Sequence, residues 1–180
     1  MCKTMKNILA LFFISLLPSL STAAEFSKGP VIKNYGGVAA VKQSVPLTGK
    51  EQFKIAFDVA EQGKKEAANR RFESLARFLN MQARAGVRPE QIELALVVHG
   101  KAGFDLLNDK AFENKFDVAN PNASLLAELQ KHGVRVILCG QSAAYHGIEN
   151  AQLLSGVEMS LSAMTAHALL QQQGYTVNPF

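Results

Sequence analysis

Apolar positions recur along this chain in blocks of changing period, and each block predicts an element. At 53–59, Phe53, Ile55, Phe57 and Val59 stand among Lys54, Ala56 and Asp58 in a short β-prone run that predicts a first strand. From 65 to 85, Ala68, Phe72, Leu75, Phe78, Leu79 and Gln82 fall at three- and four-residue intervals among charges. That period is an amphipathic helix, and Gly86 ends it. Residues 92–98 turn wholly apolar after Glu93, as buried parallel strands do, and stop at His99 and Gly100. Two short helical turns are predicted near 103–107 and 110–116. After Pro121 a helix runs to Lys131, with His132 in its last turn and Gly133 as its stop. Residues 134–139 are again apolar and β-branched and are broken by Gly140, where the backbone can turn sharply, with Ser142 placed to cap the next segment. A short helix after Ile148, a strand at 157–162, a helix at 165–173 closed by Gly174, and a last strand at 175–177 complete the pattern.

Strand and helix therefore alternate, which implies parallel strands joined by crossovers, with helices on both faces of one sheet. Ligands of such sheets sit beyond the carboxyl ends of the strands, and His99 and Cys139 both fall at such ends. The α/β unit spans 51–180. Residues 25–50, with Gly29, Pro30, Gly36, Gly37 and Pro46 and no sustained period, read as an extended N-terminal arm.

The first 24 residues read differently. Lys3 and Lys6 form a basic start, 8–17 is almost unbroken hydrocarbon, and Ser21, Thr22, Ala23 and Ala24 are small residues suited to a peptidase. This predicts a signal peptide cleaved after Ala23 or Ala24 and a periplasmic or secreted protein. Pro18 and Ser19 interrupt the run too early for a spanning helix, so the membrane is met only through this segment before cleavage. Lys3 and Lys6 supply two of the +4 formal charges, leaving too little for nucleic-acid binding. Lys64, Lys65, Arg70, Arg71, Arg77 and Arg84 are spread along one predicted helix as a solvated face. Of the two cysteines, Cys2 lies in the segment to be removed. Cys139 is then alone, and an unpaired thiol in an oxidising compartment is buried, bound, paired between chains, or reactive.

Cys139 is the leading chemical candidate. Amides of the segment after Gly140 would favour its thiolate, the form that attacks sulfur and carbon. The competing reading is a small buried hydrophobe at a strand end. His99 is placed to orient or deprotonate a partner near Cys139, as Cys–His pairs do. Gly140, Gln141, Ser142, Tyr145, His146 and Asp58 are the remaining candidates to line the pocket. His132 and His167 read as exposed helical residues, and with no HxxxH or CxxC spacing no metal site is expected. No phosphate loop, GxGxxG or GxSxG is present, so no cofactor is expected. Asn122, Ala123 and Ser124 match a glycosylation sequon.

Several of these segments together resemble one family. His99-Gly100 after the second strand, the run Phe104-Asp105-Leu106-Leu107-Asn108-Asp109, Asn120-Pro121-Asn122 before the next helix, and Cys139-Gly140-Gln141-Ser142 after the third strand are similar to the DsrE/DsrF-like family, in particular its exported branch, related to the YchN-like fold. The resemblance covers about 53–180. It implies a flavodoxin-like three-layer fold, with a mostly parallel five-stranded sheet and helices on both faces, assembling as homo-oligomers, often trimers or hexamers. In the family's sulfur-relay members a cysteine carries sulfur as a persulfide between partner proteins, and that position maps onto Cys139. The implied function is an exported sulfur carrier with a protein donor or acceptor. The alternatives are a non-enzymatic homo-oligomeric protein that binds a small ligand, and a redox sensor.

Overall fold

The computed structural model of the chain describes residues 24–178, so the predicted signal peptide, except Ala24, lies outside the described residues. The sheet is built from β3 (Phe53–Val59), β4 (Ile92–Val98), β5 (Arg135–Cys139), β6 (Val157–Ser160) and β7 (Thr176–Asn178). They run in the order β6-β5-β4-β3-β7, and every pairing is parallel. The helices are α1 (Arg70–Arg84), α2 (Asp109–Phe116), α3 (Ala123–Lys131), α4 (Gly140–His146) and α5 (Ala163–Gln172). Ahead of them, β1 (Phe26–Ser27) and β2 (Val38–Ala39) pair antiparallel.

Alternation along the strands sorts the core into two unequal halves. Phe57, Val59, Leu94, Leu96, Val98, Val136 and Leu138 face one side, in a large cluster with Phe72, Leu75 and Leu79 of α1, Phe112 of α2, and Leu125, Leu126 and Leu129 of α3. Ala56, Ala95, Val97 and Ile137 face the other side, where Ala166 and Leu170 of α5 and Tyr175 close a small cluster. The small alanines let α5 lie close to the sheet. By the same alternation, Asp58, His99 and Cys139 fall on the α5 side, at the carboxyl ends of β3, β4 and β5.

Three predicted boundaries move. The first helix starts at Arg70 and not near 65, because the Asn69 side chain accepts a hydrogen bond from the Arg71 N–H and caps it there. Gly140 opens α4 directly after β5, whereas the sequence placed a short helix after Ile148; there the chain makes only a 3-10 turn, Asn150–Gln152. The segment after β4 is a longer 3-10 turn, Gly100–Leu106.

The N-terminal arm is pinned to α1 by three of its polar side chains, of which Glu73 accepts from the Gly36 N–H. Asn80, fully buried, accepts from the Val31 and Ile32 N–H groups and donates to the Ile32, Tyr35 and Gly36 carbonyls. Arg84, predicted on a solvated face, donates to the carbonyls of Ser27, Lys28, Gly29 and Val38. Ile32 thereby joins the main core. A second polar network, also buried, ties the loop after β3 to the segment before α3. Asp105 accepts from the Gly63 N–H and Asn69 Nδ2, and Asn122 accepts from the Asn69 N–H. Burial pushes the Asp105 carboxyl up against those donors.

Candidate functional site

Cys139 ends β5 and caps α4, its Sγ accepting from the Ser142 N–H at 3.4 Å. The residue is 5% exposed. Burial pushes its thiol up, but hydrogen bonds from the Ser142 side chain and from the N–H groups of Ser142, Ala163 and Gln141 outweigh that and hold it below the ordinary thiol value. Ser142 Oγ is itself fixed by the Gly100 N–H at 2.9 Å, so the turn after His99 positions a partner of the sulfur.

Gly140 was expected to permit a sharp turn. It is the first residue of α4, directly after β5, and it also supplies room. A Cβ there would stand 2.7 Å from the Ser160 carbonyl oxygen and 3.2 Å from that of Leu161, where the end of β6 crosses over α4. Gln141 holds the same crossing with a bond from Nε2 to the Leu161 carbonyl.

Beside the sulfur, register brings further groups together. Val98 pairs with Leu138, so the next residues, His99 and Cys139, leave adjacent strands side by side. Asp58, at the end of β3, is the anchor of a three-residue cluster: its Oδ2 lies 3.1 Å from His99 Nε2 and its Oδ1 2.7 Å from His167 Nε2. Burial raises the Asp58 carboxyl, yet the hydrogen bonds from His167 and His99 and their charges prevail and keep it below the usual carboxylate value. An ionised carboxylate only accepts, so both Nε2 atoms carry hydrogen and each Nδ1 is the atom left to gain or lose a proton.

Asp58, His99, Cys139, Gln141, Ser142, Ser162, Ala163, Met164 and His167 line one hollow of about 300 Å³. The sequence expected His167 on an exposed helical face; it is half-buried and turned onto Asp58. The only hint of this in the chain was its place one turn after the start of a helix following an edge strand.

His146 was expected in the same pocket and lies elsewhere. Seven residues of helix carry it about 10 Å along the axis from Cys139. There its ring packs on Phe104 at 4.9 Å and lines a different hollow with Lys115 and Gln152. Tyr145 points into solvent. His132 is exposed, as expected, and its Nε2 lies 3.8 Å from Glu128 Oε1 one turn earlier. Asn122 of the sequon is fully buried and unavailable to a glycosyl group. Among the described residues no three His, Cys, Asp or Glu side chains are grouped to hold a metal ion, and no helix is long and apolar enough to cross a membrane.

Comparison with known proteins gives a consistent picture of kinship. The sequence profile of the DsrE/DsrF-like family matches residues 54–179. Among solved structures, the chain is similar to the protein of unknown function MTH1491 from Methanobacterium thermoautotrophicum, with 17% identity and a TM-score of 0.55. It is also similar to the ychN protein from E. coli, with 21% identity and a TM-score of 0.51. In both cases the match covers 72% of this chain and 100% of the other. No curated protein matches.

Proposed function

Because the chain belongs to the DsrE/DsrF-like family, a family of the sulfur-relay type, we propose that Cys139 carries sulfur as a persulfide and passes it to an acceptor. The observation that supports this is the thiol itself, held below its ordinary value by the Ser142 N–H on its sulfur and by the neighbouring Ser142 hydroxyl and Ala163 and Gln141 amides, in the wall of a hollow. With a low-molecular-weight persulfide donor RS–SH, the Cys139 thiolate attacks the outer sulfur. A bond forms between Cys139 Sγ and that sulfur, the bond from it to RS breaks, and RS⁻ departs to be protonated as RSH. Cys139–S–SH remains, and an acceptor thiolate reverses the sequence. His99, beside the sulfur and tied to Asp58, adds polar support to the anionic forms.

Two further parts of the proposal rest on the sequence and on surface chemistry. The basic, apolar and small-residue start favours export, and so a periplasmic or secreted protein. Exposed apolar side chains on β6 and α5 favour a homo-oligomer, a trimer or hexamer, that meets a protein donor or acceptor of sulfur.

The test is the intact mass of purified mature protein after incubation with thiosulfate, polysulfide or a persulfide, with Cys139→Ser as control. A gain of one sulfur atom that requires Cys139 is expected. Absence of any gain across the donors overturns the carrier reading and favours a small-ligand site in which Cys139 is wall, consistent with its 5% exposure.

A further inference from the structure

Ser142 meets the Cys139 sulfur through both its amide and its hydroxyl, and the hydroxyl is held in place by a different element. Cys139 caps α4, so Ser142 is the third residue of that helix, and its N–H donates to Sγ at 3.4 Å. Its Oγ accepts from the Gly100 N–H at 2.9 Å. A hydroxyl has one hydrogen to donate, and with that amide on its oxygen the hydrogen turns the other way, into the hollow that Ser142 shares with Cys139. A serine in the body of a helix can give this hydrogen to the carbonyl four residues back, as Ser74 does to Arg70 at 3.1 Å. Four residues before Ser142 lies Leu138, still within β5, so no preceding helical turn offers that outlet. Burial pushes the Cys139 thiol up, and of the groups that bring it down the Ser142 hydroxyl is foremost and the Ser142 amide next.

The Gly100 amide is itself fixed. The N–H groups of His99 and Ala102 donate to the Val59 and Ala60 carbonyls at 2.9 and 3.0 Å. Gly100, between them, has φ +54°, and a Cβ there would stand 3.0 Å from the Ala60 carbonyl oxygen. The end of β3 thus sets the turn, the turn sets Oγ, and Oγ stands beside the sulfur. The titratable groups that share the hollow are Asp58 from β3, His99 from the end of β4 and His167 from α5, and both imidazoles are bonded to Asp58.

We propose that Ser142 is a catalytic residue of the sulfur-transfer site: its hydroxyl donates to Cys139 Sγ whenever that atom carries negative charge, as the attacking thiolate in loading and as the leaving thiolate in delivery. The role in transfer rests on the persulfide reading above, which gives the loading step. In delivery, an acceptor thiolate R′S⁻ attacks the outer sulfur of Cys139–S–SH. A bond forms from R′S to that sulfur, the bond from it to Sγ breaks with its electron pair left on Sγ, and R′S–SH departs. Ser142 keeps its proton throughout, and no oxidant is needed. The two steps answer differently to loss of the hydroxyl. An attacking thiolate becomes scarcer but more nucleophilic as its pKa rises, whereas a leaving thiolate only leaves more slowly.

The experiment compares wild type, Ser142→Ala and Ser142→Thr, with Ser74→Ala on α1 as control. It measures against pH the iodoacetamide alkylation of Cys139, its loading from a persulfide, and transfer from loaded Cys139 to free cysteine. Ser142→Ala keeps the amide and removes the hydroxyl, and its alkylation profile is expected to move up by about one pH unit. Below that titration, the tenfold loss of thiolate is offset about threefold by its greater nucleophilicity, so loading falls about threefold; above it, loading rises about threefold, and the two curves cross. Delivery is expected to slow severalfold at every pH. Ser142→Thr restores all three, and Ser142→Gly serves if the alanine variant does not fold. An alkylation profile that superimposes on wild type, a uniform loss of loading without a crossing, or a shift that threonine does not restore overturns the assignment. Wild type that takes no sulfur overturns the persulfide reading alone, since the alkylation profile still decides whether the Ser142 hydroxyl holds the thiolate.

Discussion

Gly140 shows how one absent methyl group holds the sulfur in place. Its neighbour across the β6 crossing is backbone, not a side chain that could swing aside, and the 2.7 Å approach leaves no space for a Cβ. Gly140→Ala must push α4 away from Ser160 and Leu161, moving Cys139 relative to the Ala163 and Gln141 amides. A loss of about 2 kcal/mol in urea unfolding is expected, together with a rise in the pH at which the thiol alkylates. Unchanged stability and an unchanged profile would show that the crossing is compliant. Cys139 and His99 could be picked from sequence because strand ends are visible as the points where apolar runs stop. His167 could not be. Its partner Asp58 is 109 residues away, and a single histidine in a helix of weak periodicity looks the same whether it faces solvent or a carboxylate.

At the scale of elements, β4 and β5 were the most legible strands, because each turns wholly apolar after one charged residue, Glu93 or Arg135, and stops at His99 or Gly140. Helix starts were less so. α4 has neither Ser, Thr, Asp nor Asn at its cap, since the thiol itself takes the Ser142 N–H. The arm was legible only as lacking a period; what orders it is not its own sequence but Glu73, Asn80 and Arg84 on α1. Asn80 satisfies five backbone groups of the arm, four of them from 31 to 35 and the last at Gly36. Asn80→Ala leaves those groups without partners beside the fully buried Ile32, and is expected to cost about 3 kcal/mol in stability. Protease cleavage should then begin within 25–50. An arm that stays resistant in this variant would mean that Arg84 and Glu73 suffice to hold it.

On the scale of the whole molecule, the two faces of the sheet are covered unequally, and this bears on assembly. One face carries α1, α2 and α3 over a large core; the other has only α5 over alanines. Along that thin side the chain exposes Leu161 by 72% and Met164 by 80%, with Met159 and Leu169 beside them. Exposed large apolar side chains of this kind suit the interface between copies proposed above. Met164 also lines the Cys139 hollow, and Leu161 holds Gln141 through its carbonyl. If copies of the chain pack there, assembly and access to the sulfur are one variable: closing the interface narrows the mouth of the hollow. Native mass spectrometry is expected to show a trimer or hexamer for wild type and monomer for the double variant Leu161→Glu, Met164→Glu. The monomer should alkylate at Cys139 faster than the assembled protein at the same pH, because its hollow stands open. A wild-type monomer at micromolar concentration would remove the assembly proposal, and equal alkylation rates would place the interface away from the sulfur.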